Sequence, residues 1–142
     1  VGALKAGVHE RETLRRFGHA LGMAFQIVDD LLDYTEEEAV TGKPSGNDLR
    51  EHKVTLPLIY SLPRFTPDAR REVAGLMASP QPTDSQIARV IMLVAEAGGL
   101  DYARERAQQL AEQADQELDA LEPSPARDTL RDSITYVLDR RR

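Results

Sequence analysis

The stretch GMAFQIVDDLLDY, residues 22–34, sets three aspartates inside a strongly apolar run. At about 100° of rotation per residue, Asp29, Asp30 and Asp33 lie on one face of an α-helix. Gln26 lies on the same face, within about 60° of each aspartate. The opposite half of the helix holds the apolar residues Ile27, Val28, Leu31 and Leu32. The stretch therefore predicts a helix with one carboxylate face and one apolar face.

The carboxylates have no cation among their neighbours on this helix. Residues three and four positions apart are adjacent on a helix surface, and none of those beside Asp29 or Asp33 is basic. Asp29 and Asp33 are themselves a like-charge pair at this spacing. Two interpretations follow: a well-solvated acidic face, or a site where oxygen ligands one turn apart bind a hard cation such as Mg²⁺.

The segment GKPSGNDLREHK, residues 42–53, favours the cation site. It contains two lysines, Lys43 and Lys53, and two glycines, Gly42 and Gly46. A basic, glycine-containing loop after an acidic helix suits a metal–diphosphate complex. The metal would bridge carboxylate and phosphate oxygens, and the lysines would neutralise the remaining phosphate charge. The alternative for either lysine alone is an ordinary solvent-exposed surface residue.

The rest of the chain predicts helices almost throughout, because apolar residues recur at helical spacing with little strict alternation. Residues 35 to about 54 are predicted to form a loop. Cap residues predict where several helices begin: Thr66-Pro67, the Thr83 and Gln86 capping box, and Ser124-Pro125. The predicted helices cover about 9–34, 55–62, 67–78, 83 to the Gly98-Gly99 stop, and about 100–121. A last helix follows Ser124-Pro125, with the basic residues 140–142 at its C-terminal end. The fold class is therefore all-α, with about six helices.

Composition limits the possible functions. The 142 residues are 41% apolar and 30% charged, which is an ordinary balance for one globular domain. The net charge of −6 disfavours nonspecific nucleic-acid binding. The chain has no cysteine, which excludes disulfides and thiolate chemistry and fits the reducing cytoplasm. No apolar run approaches the roughly 18–20 residues that span a bilayer, and no signal peptide is visible. Residue 1 is valine, which fits a processed product or a piece of a longer chain.

The segment FQIVDDLLDY (25–34) followed by TGKPSGNDLREHKVTLPLIY (41–60) resembles the second aspartate-rich region of trans-type polyprenyl diphosphate synthases. The family pattern there is FQ-x-x-DD-x-x-D, then GKP-x-G-x-D, then K-x-TLP. AEAGGLDYARERAQQLAEQADQEL (95–118) and YVLDRR (136–141) also look like the family's C-terminal helices. The resemblance covers essentially all of residues 1–142, but only the C-terminal part of such a synthase. The first aspartate-rich motif and the basic residues that bind isopentenyl diphosphate have no counterpart here.

The resemblance implies an activity and a role for each site residue. In the complete enzyme, isopentenyl diphosphate would condense with an allylic diphosphate in a Mg²⁺-dependent reaction that gives a longer trans-prenyl diphosphate. Asp29 and Lys43 would be catalytic, and the metal ligands would be Asp29, Asp30 and Asp33. The substrate-binding residues would be Gln26, Phe25, Lys43 and Lys53. Phe25 either packs or stabilises an allylic cation, while Asp48 matches the family's loop aspartate with its role left open.

Two other functions fit the same residues. The first alternative is a non-catalytic helical partner subunit of a heteromeric prenyl synthase, and the second, ranked lower, is a fragment of a class I terpene cyclase. The resemblance also implies association, as a homodimer or with the missing N-terminal half. The chain alone is expected to be inactive.

Overall fold

The computed structural model describes residues 7–35 and 45–140, and every regular element within these ranges is helical. This finding confirms the all-α prediction. The elements are α1 (Val8–Thr35), α2 (Asn47–Arg50), α3 (Leu56–Ser61), a 3₁₀ turn (Leu62–Arg64), α4 (Pro67–Ala78), α5 (Asp84–Glu96), α6 (Gly99–Leu118) and α7 (Pro125–Leu138).

Three helices begin at the caps that the sequence predicts. The Thr66 side chain accepts a hydrogen bond from the Ala69 amide at the start of α4. Thr83 and Gln86 form a reciprocal capping box at the start of α5. The Ser124 side chain accepts a hydrogen bond from the third residue of the last helix, at the start of α7. Each cap satisfies an amide that the helix itself leaves unpaired.

Two boundaries differ from the prediction. Helix α2 lies inside the predicted loop of residues 35–54, and its first amides are held by a carboxylate from far earlier in the chain. Helix α6 ends at Leu118 rather than near Leu121. There Asp119 and Ala120 bond back three residues instead of four, which tightens the chain into a turn.

The described residues form two compact units, each with its own core. The first unit contains residues 7–28 and 105–140. Three of the six residues in its core cluster are alanines. Its buried core consists of Phe17, Ala20, Ala111, Ala114, Leu118 and Ile134.

The second unit contains residues 29–35 and 45–104. Its larger core draws apolar side chains from the end of α1 and from helices α2 to α5. The fully or almost fully buried members are Tyr34, Leu49, Leu58, Phe65, Ala69, Val73, Leu76, Ile87, Val90, Leu93 and Val94. Burial of this apolar surface is the main source of the unit's stability.

Among the described residues, no helix is both long enough and apolar enough to cross a bilayer.

Candidate functional site

The three aspartates lie at the end of α1 and are half-buried. Three apolar residues of the opposite face, Ile27, Val28 and Leu31, are no more than 7% exposed. The division between a polar and an apolar face of α1 is therefore confirmed. The polar face therefore places its carboxylates where solutes can reach them.

The carboxylate of Asp33 joins α1 to α2. Its Oδ1 accepts a hydrogen bond from the Asn47 amide at 3.1 Å, and its Oδ2 accepts one from the Asp48 amide at 3.0 Å. Its main-chain carbonyl also accepts a bond from the Gly46 amide at 2.8 Å. Asp33 thus supplies the N-terminal cap that α2 lacks in its own sequence. This role comes in addition to the predicted one in metal binding.

Helix α2 is also fixed along its length. Gly46 precedes it with φ of 74°, and a Cβ at that position would come within 2.4 Å of an Ile87 methyl carbon. Leu49 is completely buried in the core of the second unit. Arg50 donates a hydrogen bond to Asp84, the first residue of α5, at 2.6 Å. The helix therefore has a defined place relative to the end of α1, and only glycine fits before it.

Asp48 adds a fourth carboxylate to the three of the DDxxD motif, Asp29, Asp30 and Asp33. These four residues are called the acidic cluster. Burial raises the pKa of its carboxyl group, and the negative charges of Asp33 and Asp30 raise it further. The positive charge of Lys53 acts in the opposite direction. Burial is the larger cause of the rise, and the contribution of Asp33 and Asp30 shows that their negative charge acts on Asp48.

The buried phenol of Tyr34 experiences the same negative charge. Burial is the main cause that raises the pKa of this phenol, and the Thr55 hydroxyl offsets part of the rise. The carboxylates of Asp33, Asp48 and Asp30 reinforce it. Tyr34 therefore stays a neutral phenol in the core of the second unit throughout the physiological pH range.

The donor chemistry of this cluster suits a hard cation. Carboxylate oxygens are the protein ligands that Mg²⁺ and Ca²⁺ prefer, and the negative charges of Asp33 and Asp30 act on Asp48. Within residues 7–35 and 45–140, however, no three Asp, Glu, His or Cys side chains are grouped closely enough to hold a metal ion by themselves. The metal-binding roles of Asp29, Asp30 and Asp33 stay predictions.

Of the two predicted lysines, only Lys53 lies within the described residues. Lys43 lies outside the described residues. Lys53 follows α2, and its ammonium lies 2.6 Å from Glu51 and 3.9 Å from the Oδ1 of Asp48. The hydrogen bond to Glu51 is the main cause that raises the pKa of Lys53, which is therefore fully protonated at neutral pH. The structure thus brings Lys53 to the edge of the acidic cluster in the second unit.

Gln26 and Phe25 belong to the first unit, and both are exposed. The guanidinium carbon of Arg140 lies 4.0 Å from the centre of the Phe25 ring. One face of this ring is therefore in contact with a cation of the chain itself. The substrate-binding roles of both residues stay predictions.

Two residues have roles that the sequence pattern does not reveal. The capping bonds of Asp33 reach 14 and 15 residues along the chain, so no local motif predicts them. His52 has a left-handed backbone with φ of 57°, a conformation for which glycine is the usual signal. The sequence offers no signal for this turn, because α2 itself lies within the predicted loop.

Comparison with known proteins gives a consistent picture. The family model described as polyprenyl synthetase matches residues 1–94. An all-trans-nonaprenyl-diphosphate synthase (geranyl-diphosphate specific) of Rhodobacter capsulatus is 41% identical over 139 residues, covering 97% of this chain and 42% of the relative. Heptaprenyl diphosphate synthase component 2 of Geobacillus stearothermophilus is 36% identical over 139 residues, covering 96% and 42%.

Solved structures share the fold. The crystal structure of geranylgeranyl pyrophosphate synthase from Corynebacterium glutamicum, complexed with isoprenyl diphosphate and magnesium, matches with a TM-score of 0.85 and 29% identity. The match covers 96% of this chain and 39% of that one. The chain thus spans about two-fifths of the length of the proteins that it matches.

Proposed function

This chain belongs to the polyprenyl synthetase family, and we propose that residues 1–142 are the C-terminal part of a trans-prenyl diphosphate synthase. The observation that carries the proposal is the arrangement around α2. Asp33 fixes this helix to the DDxxD segment, and the helix in turn brings Lys53 within 3.9 Å of Asp48. Carboxylates for a cation and an ammonium for a phosphate thus occur together in the second unit.

The proposed reaction has three steps. The carbon–oxygen bond of an allylic diphosphate breaks, and the pyrophosphate leaves with the electron pair. The double bond of isopentenyl diphosphate then attacks the allylic carbon, and the adduct loses a proton to give the longer prenyl diphosphate. The protein's largest contribution to such a reaction is to stabilise the negative charge that develops on the leaving pyrophosphate.

The residues of this chain divide that work. Asp29 and Asp30 would hold Mg²⁺, with Asp33 as a third ligand through the lone pairs that its capping bonds leave. When bound, Mg²⁺ would neutralise charge on the leaving group. Lys43 and Lys53 would contact the diphosphate oxygens, which carry the charge that an ammonium pairs with.

Gln26 and Phe25 would contact the organic part of the substrate. Gln26 offers an amide beside the reacting end, and Phe25 offers an exposed aromatic edge, 41% of the residue being accessible. Its ring already stacks with Arg140, so we propose that Phe25 limits the space around the substrate rather than stabilising a carbocation. Asp48 would add negative charge that strengthens cation binding.

We also propose what completes the site. The remaining length of the relatives would correspond to an N-terminal part that supplies a second acidic motif and the isopentenyl diphosphate site. That part would be joined covalently or provided by association, and the complete protein would act as a homodimer. The absence of cysteine fits a reducing compartment, and the cytoplasm is the location that we propose.

The test of this function is an activity measurement on a complete synthase that contains this chain. Replacing Asp29 with alanine should lower Mg²⁺-dependent prenyl transfer by at least about a hundredfold, because charge stabilisation at the leaving group is lost. The matched control is Asp101→Ala, which removes an exposed aspartate paired with Arg104. Turnover within a few-fold of the wild type in the Asp29 variant would overturn the assignment.

A partner-subunit function is the second candidate. It is favoured by the relative named heptaprenyl diphosphate synthase component 2, since that name describes one component of a larger enzyme. In that case the chain would act only with a second protein, and Asp29→Ala would leave the activity of the assembled enzyme unchanged. The relatives reported above are named as prenyl diphosphate synthases, which favours chain elongation over the cyclase alternative.

A further inference from the structure

The C-terminal end of α2 has an unusual residue in a well-defined turn. The His52 amide donates to the Leu49 carbonyl at 3.1 Å, and the Lys53 amide donates to the Asp48 carbonyl at 2.8 Å. This pair of bonds is a Schellman motif, whose left-handed position glycine usually occupies. Here His52 occupies it with φ of 57°. A residue with a Cβ is strained in this conformation, so some compensating contact is expected.

The imidazole of His52 makes such a contact. Its Nε2 lies 2.7 Å from the main-chain carbonyl oxygen of Ser79, the C-cap residue of α4. The protonated ring nitrogen donates this hydrogen bond, and the carbonyl is one that the helix end leaves without an internal partner. The end of α4 is anchored in the core, because Leu76 in its last turn is completely buried. Glycine at position 52 would adopt the same backbone without this bond.

We propose that His52 is a positioning residue for Lys53. The left-handed turn directs the chain out of α2, and the imidazole attaches that turn to the end of α4. The Lys53 amide is thereby held in its hydrogen bond to the Asp48 carbonyl. The Lys53 side chain then starts from a fixed backbone position, and its ammonium lies beside the acidic cluster. His52 would not contact the substrate. The inference rests on the proposed role of Lys53 in binding a diphosphate, and it adds a residue that the family pattern does not single out.

The test compares four forms of a complete synthase: wild type, His52→Gly, Lys53→Met and the double variant. Glycine keeps the left-handed backbone at no steric cost and removes the imidazole. We expect His52→Gly to raise the KM for the allylic diphosphate about three- to tenfold, the effect of losing one hydrogen bond. The kcat should change less than about twofold. In the Lys53→Met background, the same replacement should raise KM no further, because coupled residues are not additive.

Binding of inorganic pyrophosphate in the presence of Mg²⁺, measured by calorimetry, supplies a readout that needs no turnover. The same non-additivity is expected in these affinities. Equal losses in both backgrounds would assign His52 a general structural role and overturn the proposal. An unchanged KM and pyrophosphate affinity in His52→Gly would also overturn it.

The two proposals fail in different ways. If Lys53→Met elongates prenyl chains with unchanged KM and pyrophosphate affinity, the positioning role falls and the synthase function stands. If the wild type does not elongate prenyl chains, the proposed function falls, and the pyrophosphate affinities alone decide on His52. His52→Asn, which also tolerates a left-handed backbone, replaces His52→Gly if the latter folds poorly.

Discussion

Both carboxylate oxygens of Asp33 accept hydrogen bonds from main-chain amides of α2. A substitution at this residue therefore removes a helix cap together with any metal ligand, and loss of activity alone would not separate the two. The Asn47 and Asp48 amides bond to Asp33 and not to Asp29. For this reason Asp29 is the better residue with which to test metal-dependent chemistry.

Asp48 gives a prediction about pH. Burial first, and then Asp33 and Asp30, raise the pKa of this carboxyl group in the folded state. The folded state then binds the proton more tightly than the unfolded state, so the free energy of unfolding falls as pH rises from about 3.9, the unfolded value, through the raised value. Asp48→Asn should remove this fall and stabilise the protein at neutral pH. Denaturant unfolding from pH 3 to 7, with a chelator present, checks it.

Equal pH dependence of stability in the wild type and Asp48→Asn would contradict this prediction. Addition of Mg²⁺ provides a second comparison. A bound cation would offset the repulsion, so the advantage of Asp48→Asn at neutral pH should shrink as Mg²⁺ rises. An advantage that stays constant at every Mg²⁺ concentration would argue against cation binding beside Asp48.

At the scale of elements, local signals predict local structure and fail where the partner is distant. The caps of α4, α5 and α7 are predictable because cap and amide lie within three residues of one another. Helix α2 is not predictable in this way, since its cap, Asp33, lies 14 residues before Asn47. The turn at His52 is missed for a related reason, because its compensating contact, Ser79, lies 27 residues further on.

The break between α5 and α6 is predicted from Gly98-Gly99. The structure shows a different reason for glycine at each of the two positions. Gly98 has a left-handed backbone with φ of 86°. Gly99 allows a close approach between helices, since a Cβ there would lie 2.4 Å from both the Pro57 carbonyl oxygen and the Ser61 hydroxyl oxygen. The sequence shows that a helix ends here. It does not show that α3 lies in close contact with Gly99 at the start of α6.

Gly99→Ala should therefore destabilise the protein by about 1–3 kcal/mol, the usual cost of overpacking. The matched control is Gly75→Ala in α4, where a Cβ meets no atom within 4 Å. That replacement should stabilise by about 0.5–1 kcal/mol, because alanine loses less backbone freedom on folding. Denaturant unfolding of both variants decides the matter, and a similar effect of the two replacements would show that the helices are not in close contact at Gly99.

At the scale of the whole molecule, two compact units each bury their own core, while the chain spans 42% of the length of its relatives. Asp29-Asp30 is the one Asp-Asp pair in the 142 residues. A leaving pyrophosphate needs its charge stabilised from several directions, and the proposed mechanism assigns part of that task to a second acidic motif. The chain alone therefore carries only part of the proposed site.

The 142-residue chain alone is accordingly expected to transfer no prenyl groups. The measurement supplies Mg²⁺, an allylic diphosphate and labelled isopentenyl diphosphate, and follows label in the extracted prenyl product. The same chain with Asp29→Ala is the control, because it separates site-specific turnover from background. Product that forms with the wild-type chain and disappears with Asp29→Ala would contradict the prediction. It would mean that one acidic motif suffices when copies of this chain associate, since self-association can place a second copy of Asp29 opposite the first.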